Sequence, residues 1–220
     1  MGDVSLKKTV LMILGLVVLS LVLTGCGKEQ PVLYVYNWGD YIDESILEEF
    51  EKETGIKVVY DTFSTNEDMY VKIKSGGSTY DVVFPSDYMV TRMINEGMLL
   101  KIDLEKIPNR VHIDPKLMGA DYDPKNEYTL PYMWGTLGIL YNTTMVEGEV
   151  DSWDVLWDAR YAKNILMLDS QRDSIGAALL KLGYSINTKD PQELAEAAEL
   201  LKQQKPLVLA YVVDEGKDKM

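Results

Sequence analysis

Three times between Val32 and Gly97 an apolar run breaks into a short turn and then an amphipathic helix. This alternation limits the fold more than any other feature of the chain. Val32 to Tyr36 is apolar or aromatic and β-prone. The helix after it is expected to take Asp43 as its cap, to load its first turns with Glu44, Glu48 and Glu49, and to bury Ile46, Leu47 and Phe50 before stopping at Gly55. Ile56 to Phe63 reads as a second strand. Ser64-Thr65-Asn66-Glu67 opens a second helix with Met69, Tyr70 and Ile73 on its apolar side, ending at Ser75-Gly76-Gly77. Tyr80 to Phe84 is a third strand, and its unbroken run Val82-Val83-Phe84 suits a sheet covered on both faces. A helix from Met89 to Glu96 follows, closed by Gly97. Strand and helix alternating at this spacing predict an α/β fold with a parallel sheet.

The pattern loosens between Leu100 and Asn126, where Pro108, Pro115 and Pro124 mark connecting structure. Tyr128 to Gly135 leads into an expected strand, Leu137 to Asn142, read as a crossover between two lobes. Ser152 to Trp157 is a short helix whose two tryptophans share one face and are expected to pack rather than bind. Asn164 to Leu168 is a buried strand, and Asp169-Ser170-Gln171-Arg172-Asp173 is the turn before a helix at Ser174 to Leu182. Pro191 to Gln204 is a further helix and Leu207 to Val213 a last strand.

The first residues read as an address rather than as structure. Lys7 and Lys8 precede an apolar stretch from Thr9 to Leu23, the length of a secretory signal core and short for a membrane span. It ends in Leu23-Thr24-Gly25-Cys26, a pattern that resembles a bacterial lipoprotein signal with Cys26 as the acylated residue. Cys26 is the sole cysteine, so no disulfide forms within the chain. Two acyl chains on it would give stable attachment to a membrane. The expected organisation is a signal over residues 1–25, a tether over 26–31, a first lobe over 32–136 and part of a second over 137–220. An exported protein is expected, lipid-anchored on the extracytoplasmic face of the cell membrane, in the periplasm where the envelope has two membranes.

A formal net charge of −13 opposes binding to nucleic acid or to an anionic membrane surface and suits a cationic ligand. Residues 37–41, 85–88 and 169–173 each follow a strand and precede a helix, at the carboxyl ends where open α/β sheets bind ligands. They offer Trp38, Tyr41, Ser86, Tyr88, Asp40, Asp169 and Asp173. An amine needs such groups: ring faces attract the ammonium and pack on its methylenes, and carboxylates accept charge-assisted hydrogen bonds. An anion binder would show basic residues or Ser/Thr/Gly-rich helix N-termini at these turns. A secreted hydrolase using Asp169 and Asp173 as paired carboxylates is the alternative from another class. His112 lies in the Pro-rich connector and reads as a surface or packing residue. No phosphate loop, metal-ligand spacing or cofactor motif appears, so no catalysis, metal or cofactor is expected.

Leu33 to Tyr41, Glu53 to Val58, Tyr80 to Tyr88, Pro131 to Gly135 and Lys181 to Ser185, in this order, resemble the spermidine/putrescine-binding proteins of bacterial ABC importers. The resemblance runs from about Val32 to the end of the chain. It implies a two-lobed, type II periplasmic-binding-protein-like α/β fold that closes on a linear polyamine and hands it to a membrane permease, as a monomer. By position it implies that Trp38 and Tyr41 line an aromatic box, that Ser86 and Tyr88 contribute from the turn after the third strand, and that Asp173 holds a terminal amine. Ser170 stands where spermidine-preferring members carry a further acid, which leaves the choice between spermidine and putrescine open. A binder of another small cationic or neutral solute is the nearest alternative. Members of this kind are considerably longer than 220 residues. The expectation is therefore a truncated form with an incomplete second lobe, binding polyamine weakly or not at all.

Overall fold

The computed structural model describes residues 30–77, 79–214 and 216. The signal, Cys26 and the start of the tether lie outside the described residues. The described residues form two compact units, one of residues 30–33 with Glu44–Val59, the other of Tyr34–Asp43 with the residues from Tyr60 onward. Among the described residues no helix is long and apolar enough to cross a membrane.

The first sheet has the order β2-β1-β3, with β1 at Val32–Trp38, β2 at Lys57–Phe63 and β3 at Val82–Val83. β1 and β3 are parallel, with Val35 opposite Val82 and Tyr36 opposite Val83. Their carboxyl ends therefore lie side by side, which brings residues 37–41 next to 84–88. α1 is Ser45–Thr54, α2 Asn66–Lys74 and α3 Asp87–Asn95. Thr65 caps α2 by accepting from Asp68 N at 3.1 Å. Tyr36, Phe63, Met69, Tyr70, Met89 and Met93 form one buried cluster. Met69, Met89 and Met93 are fully buried, each stabilising by roughly 2 kcal/mol from apolar area alone.

The second sheet pairs β4 (Ile165–Leu168) with β5 (Val208–Val212), also parallel. The register runs from Ile165 opposite Val208 to Leu168 opposite Val212, with an irregularity between Ile165 and Leu166. α4 is Gln171–Leu182 and α5 Pro191–Gln204. Ile165, Met167, Ala177 and Val208 form one core, and Ala178, Leu179 and Ala197 another. Alanines at the helix contacts let the two backbones approach closely.

Several expectations are corrected. α1 has Glu44 in the cap position with no side-chain cap bond, and none of its residues is buried: Leu47 and Phe50 are half-covered and Ile46 is exposed. Gly55 does end it, with φ at 70° and its N–H on Glu51 O. β3 is only two residues long and Val82 is exposed, so the third strand is not covered on both faces. Leu137 to Asn142 is not a strand. An extended segment becomes a strand only where a neighbour takes its backbone hydrogen bonds, and among the described residues none does so. Trp153 to Trp157 is a 3-10 helix with Ser152 as cap. Four residues exceed one of its three-residue turns, so the tryptophans diverge. Trp153 joins the cluster around Ile165, while Trp157 joins that around Ala178 and donates Nε1 to Leu200 O at 3.0 Å. Both pack, on different faces.

Candidate functional site

The site grows from the carboxyl end of β1, inside the second compact unit. Asn37 is fully buried and accepts from Trp38 N at 2.8 Å, which turns the chain out of the strand. Trp38 Nε1 donates to Phe84 O at 2.8 Å, tying this turn to the end of β3. Its ring packs on Phe63 with centroids 4.6 Å apart, and on Tyr41 at 5.7 Å with the planes 29° apart. The indole is half-buried and fixed, whereas Tyr41 is 40% exposed. Tyr132 Oη donates to Tyr41 O, and the Tyr132 ring meets Phe84 edge-on at 4.8 Å. Two aromatic pairs thus meet at one turn.

The next residues belong to the turn before α3. Ser86 Oγ accepts from Asn66 Nδ2 at 3.0 Å and Ser86 N donates to Asn66 Oδ1 at 2.9 Å. Ser86 occupies the cap position of α3 without a side-chain cap bond, so Asn66 rather than the helix fixes its hydroxyl. Tyr88 lies in the first turn of α3 and donates Oη to Glu67 Oε1 at 3.0 Å. Burial first, then the hydrogen bond and charge of Glu67, push the phenol up to about 12. Gln171 Nε2 reaches the same Glu67 oxygen at 2.6 Å, and the Arg172 guanidinium stands 5.1 Å from the Tyr88 ring centre.

The third group of residues is not a free turn. α4 begins at Gln171, three residues earlier than expected, because Ser170 caps it. Ser170 Oγ accepts from Asp173 N at 3.3 Å, and Asp173 sits half-buried in the first turn, where the helix dipole favours a carboxylate. Gln171 and Arg172 join this end of α4 to Glu67 and Tyr88. Asp169 is exposed and precedes the cap.

Three residues at the site did not stand out in the sequence as ligand groups. Glu67 read as a helix-opening acid. Tyr132 stood in a Pro- and Gly-flanked segment with no predicted neighbour. Asp214 follows β5 much as Asp169 follows β4, and that parallel was the available signal. Its carboxylate Oδ2 lies 2.8 Å from where a side chain at Gly39 would begin. His112 is exposed on a 3-10 turn. Among the described residues no group of His, Cys, Asp and Glu could hold a metal ion.

Residues 45–219 match the family described as bacterial extracellular solute-binding protein. A spermidine/putrescine-binding periplasmic protein of Salmonella typhimurium is 42% identical over 189 residues, which is 85% of this chain and 54% of the relative. A Listeria monocytogenes structure described as a spermidine/putrescine ABC transporter superposes with a TM-score of 0.82 at 45% identity, covering 86% of this chain and 59% of that one. A lipoprotein of Treponema pallidum gives a TM-score of 0.78 at 41% identity, over 84% and 59%. The chain spans about half the length of the curated relatives it matches. Its fold is the type II periplasmic-binding-protein-like α/β fold over that span. Its relatives bind and transport solutes rather than catalyse reactions, and the chain belongs to the bacterial extracellular solute-binding protein family.

Proposed function

We propose that the protein captures a linear polyamine, spermidine or putrescine, outside the cytoplasm and delivers it to an ABC permease. The observation that carries this reading is the ring pair of Trp38 and Tyr41, 5.7 Å apart at the mouth of β1. A methylene chain can lie along such rings while its ammonium group meets the ring quadrupole. Asp173 and Ser170 at the start of α4, and Ser86 and Tyr88 at the start of α3, supply the polar partners. Relatives above 40% identity are spermidine/putrescine- or putrescine-binding periplasmic proteins, which supports the same ligand class. Cys26 is the proposed lipid attachment site, in keeping with the basic and apolar run before it, and the protein works as a monomer.

A thermal-shift titration tests the ligand. The protein, expressed from its whole reading frame, is titrated with spermidine, putrescine and an uncharged sugar. A ligand that binds only the folded state raises the melting temperature by mass action. A rise with either amine that is absent with the sugar, and absent in Tyr41→Ala, is the expected result. A cooperative melt that neither amine moves would remove the ligand assignment and leave the fold standing.

A further inference from the structure

Asp214 directly follows the short segment after β5, and its carboxylate overlies Gly39, in the turn between Trp38 and Tyr41. The 2.8 Å separation between Oδ2 and the point where a Gly39 side chain would begin is closer than any real side chain allows. Glycine at 39 is therefore what lets the carboxylate stand over the turn. The carboxylate is exposed, and among the described residues it makes no hydrogen bond or ion pair. Asp40, in the same turn, already has a partner. An ionised oxygen pair over this turn, with no cation partner among the described residues, is matched to an incoming one.

The second sheet explains how the carboxylate reaches this place. Leu168 pairs with Val212, and Asp169 N donates to Val212 O at 2.8 Å. The paired register ends there, and Asp214 lies two residues past Val212. Ser170 commits its hydroxyl to capping α4. Asp214, just past the neighbouring strand, is the acid that reaches Gly39.

We infer that Asp214 is the carboxylate that receives the ammonium group seated on the Trp38 and Tyr41 rings, with Gly39 providing the space for it. This rests on the amine-binding reading above. The ligand class is an alkyl ammonium whose methylenes run along the rings. Asp214 contributes charge-assisted hydrogen bonds, and the rings contribute contact area.

Calorimetric titration with putrescine and spermidine tests the assignment on the whole-reading-frame protein. Asp214→Asn is expected to weaken both amines by about 10- to 100-fold, the loss of one charge-assisted contact. Its unliganded melting temperature is expected to match the parent, because the carboxylate supports no contact within the fold. Gly39→Ala is expected to weaken binding similarly by pushing the carboxylate aside, and to add nothing in the Asp214→Asn background. Unchanged affinity in Asp214→Asn overturns the assignment. If Tyr41→Ala still abolishes binding in that case, the amine reading survives and only Asp214 falls. If the parent protein binds neither amine, both fall together.

Discussion

Gln171 Nε2 donates to Glu67 Oε1 at 2.6 Å, across 104 positions of sequence. The same oxygen accepts from Tyr88 Oη at 3.0 Å, so one carboxylate joins the starts of α2, α3 and α4. Three elements that arrive from separate parts of the chain are held by a single acid beside the aromatic turn.

Replacing Glu67 with Gln removes the anion but keeps the shape. Tyr88, held at about 12 by burial and then by Glu67, should titrate lower yet remain above the ordinary phenol value. A raised folded value means that this group's contribution to stability is complete below the unfolded value of about 10 and is lost as pH rises toward the folded one. In Glu67→Gln that loss should begin at the same pH, set by the unfolded value, but end at a lower pH and total less. A tyrosine ring-carbon NMR titration of Tyr88, with urea unfolding at neutral and alkaline pH, measures both.

Asp123 is a buried acid with a structural task. It accepts from Glu127 N at 3.0 Å and, at 2.9 Å each, from Tyr128 N, Thr129 N and Thr129 Oγ1. Burial pushes its carboxyl up, but the backbone donors of Tyr128 and Glu127 and the Thr129 contacts outweigh it, leaving the value below the usual range. The depressed value means stability that is present above the unfolded value of about 3.9 and lost as pH falls through the folded one. Asp123→Ala should cost roughly 2–3 kcal/mol at neutral pH, since it strands several donors at once. The gap between parent and variant should shrink in acid. Urea unfolding at both pH values checks this, and an equal gap at both would count against it.

Trp38 and Tyr41 should separate stability from binding. Trp38→Ala removes the packing on Phe63 and the bond to Phe84 O, and should destabilise by about 3 kcal/mol. Tyr41→Ala removes a side chain that is 40% exposed and should cost about 1 kcal/mol or less. Amine affinity should fall in both. Denaturant unfolding beside calorimetry resolves the two effects, and the argument fails if Tyr41→Ala binds like the parent.

Thr65 Oγ1 accepts from Asp68 N at 3.1 Å and also bonds Asp68 Oδ2 at 2.8 Å. Thr65→Ala should destabilise by about 1 kcal/mol, the usual worth of a helix cap, and Thr65→Ser should restore most of it. Thermal melts of the two variants decide.

What the sequence made readable was local. α5 matches its expected bounds because Asp190 caps it, accepting from Gln192 N at 2.8 Å, and proline occupies its first position. Gly55 and Gly183, both left-handed, mark the ends of α1 and α4. The ring pair of Trp38 and Tyr41 was visible because both rings lie in one turn. Leu137 to Asn142 had a strand's composition, but a strand is a property of pairs, and composition does not supply the partner. Ser170 reads as part of a turn, because its role as a cap depends on where the backbone bends. The approach of Asp214 to Gly39 left no local trace, since it depends on two sheets and on the absence of a single carbon.

The irregularity between β4 and β5 has a wider meaning. Ile165 faces Val208, yet Leu166 faces Ala210, so Leu209 is the residue passed over. In a ladder without that step, Leu168 would face Tyr211 rather than Val212. A slide of β5 by one position would turn the exposed Leu209 and Tyr211 inward and the buried Val208 and Val212 outward. A single passed-over residue therefore decides which side of this ladder is core.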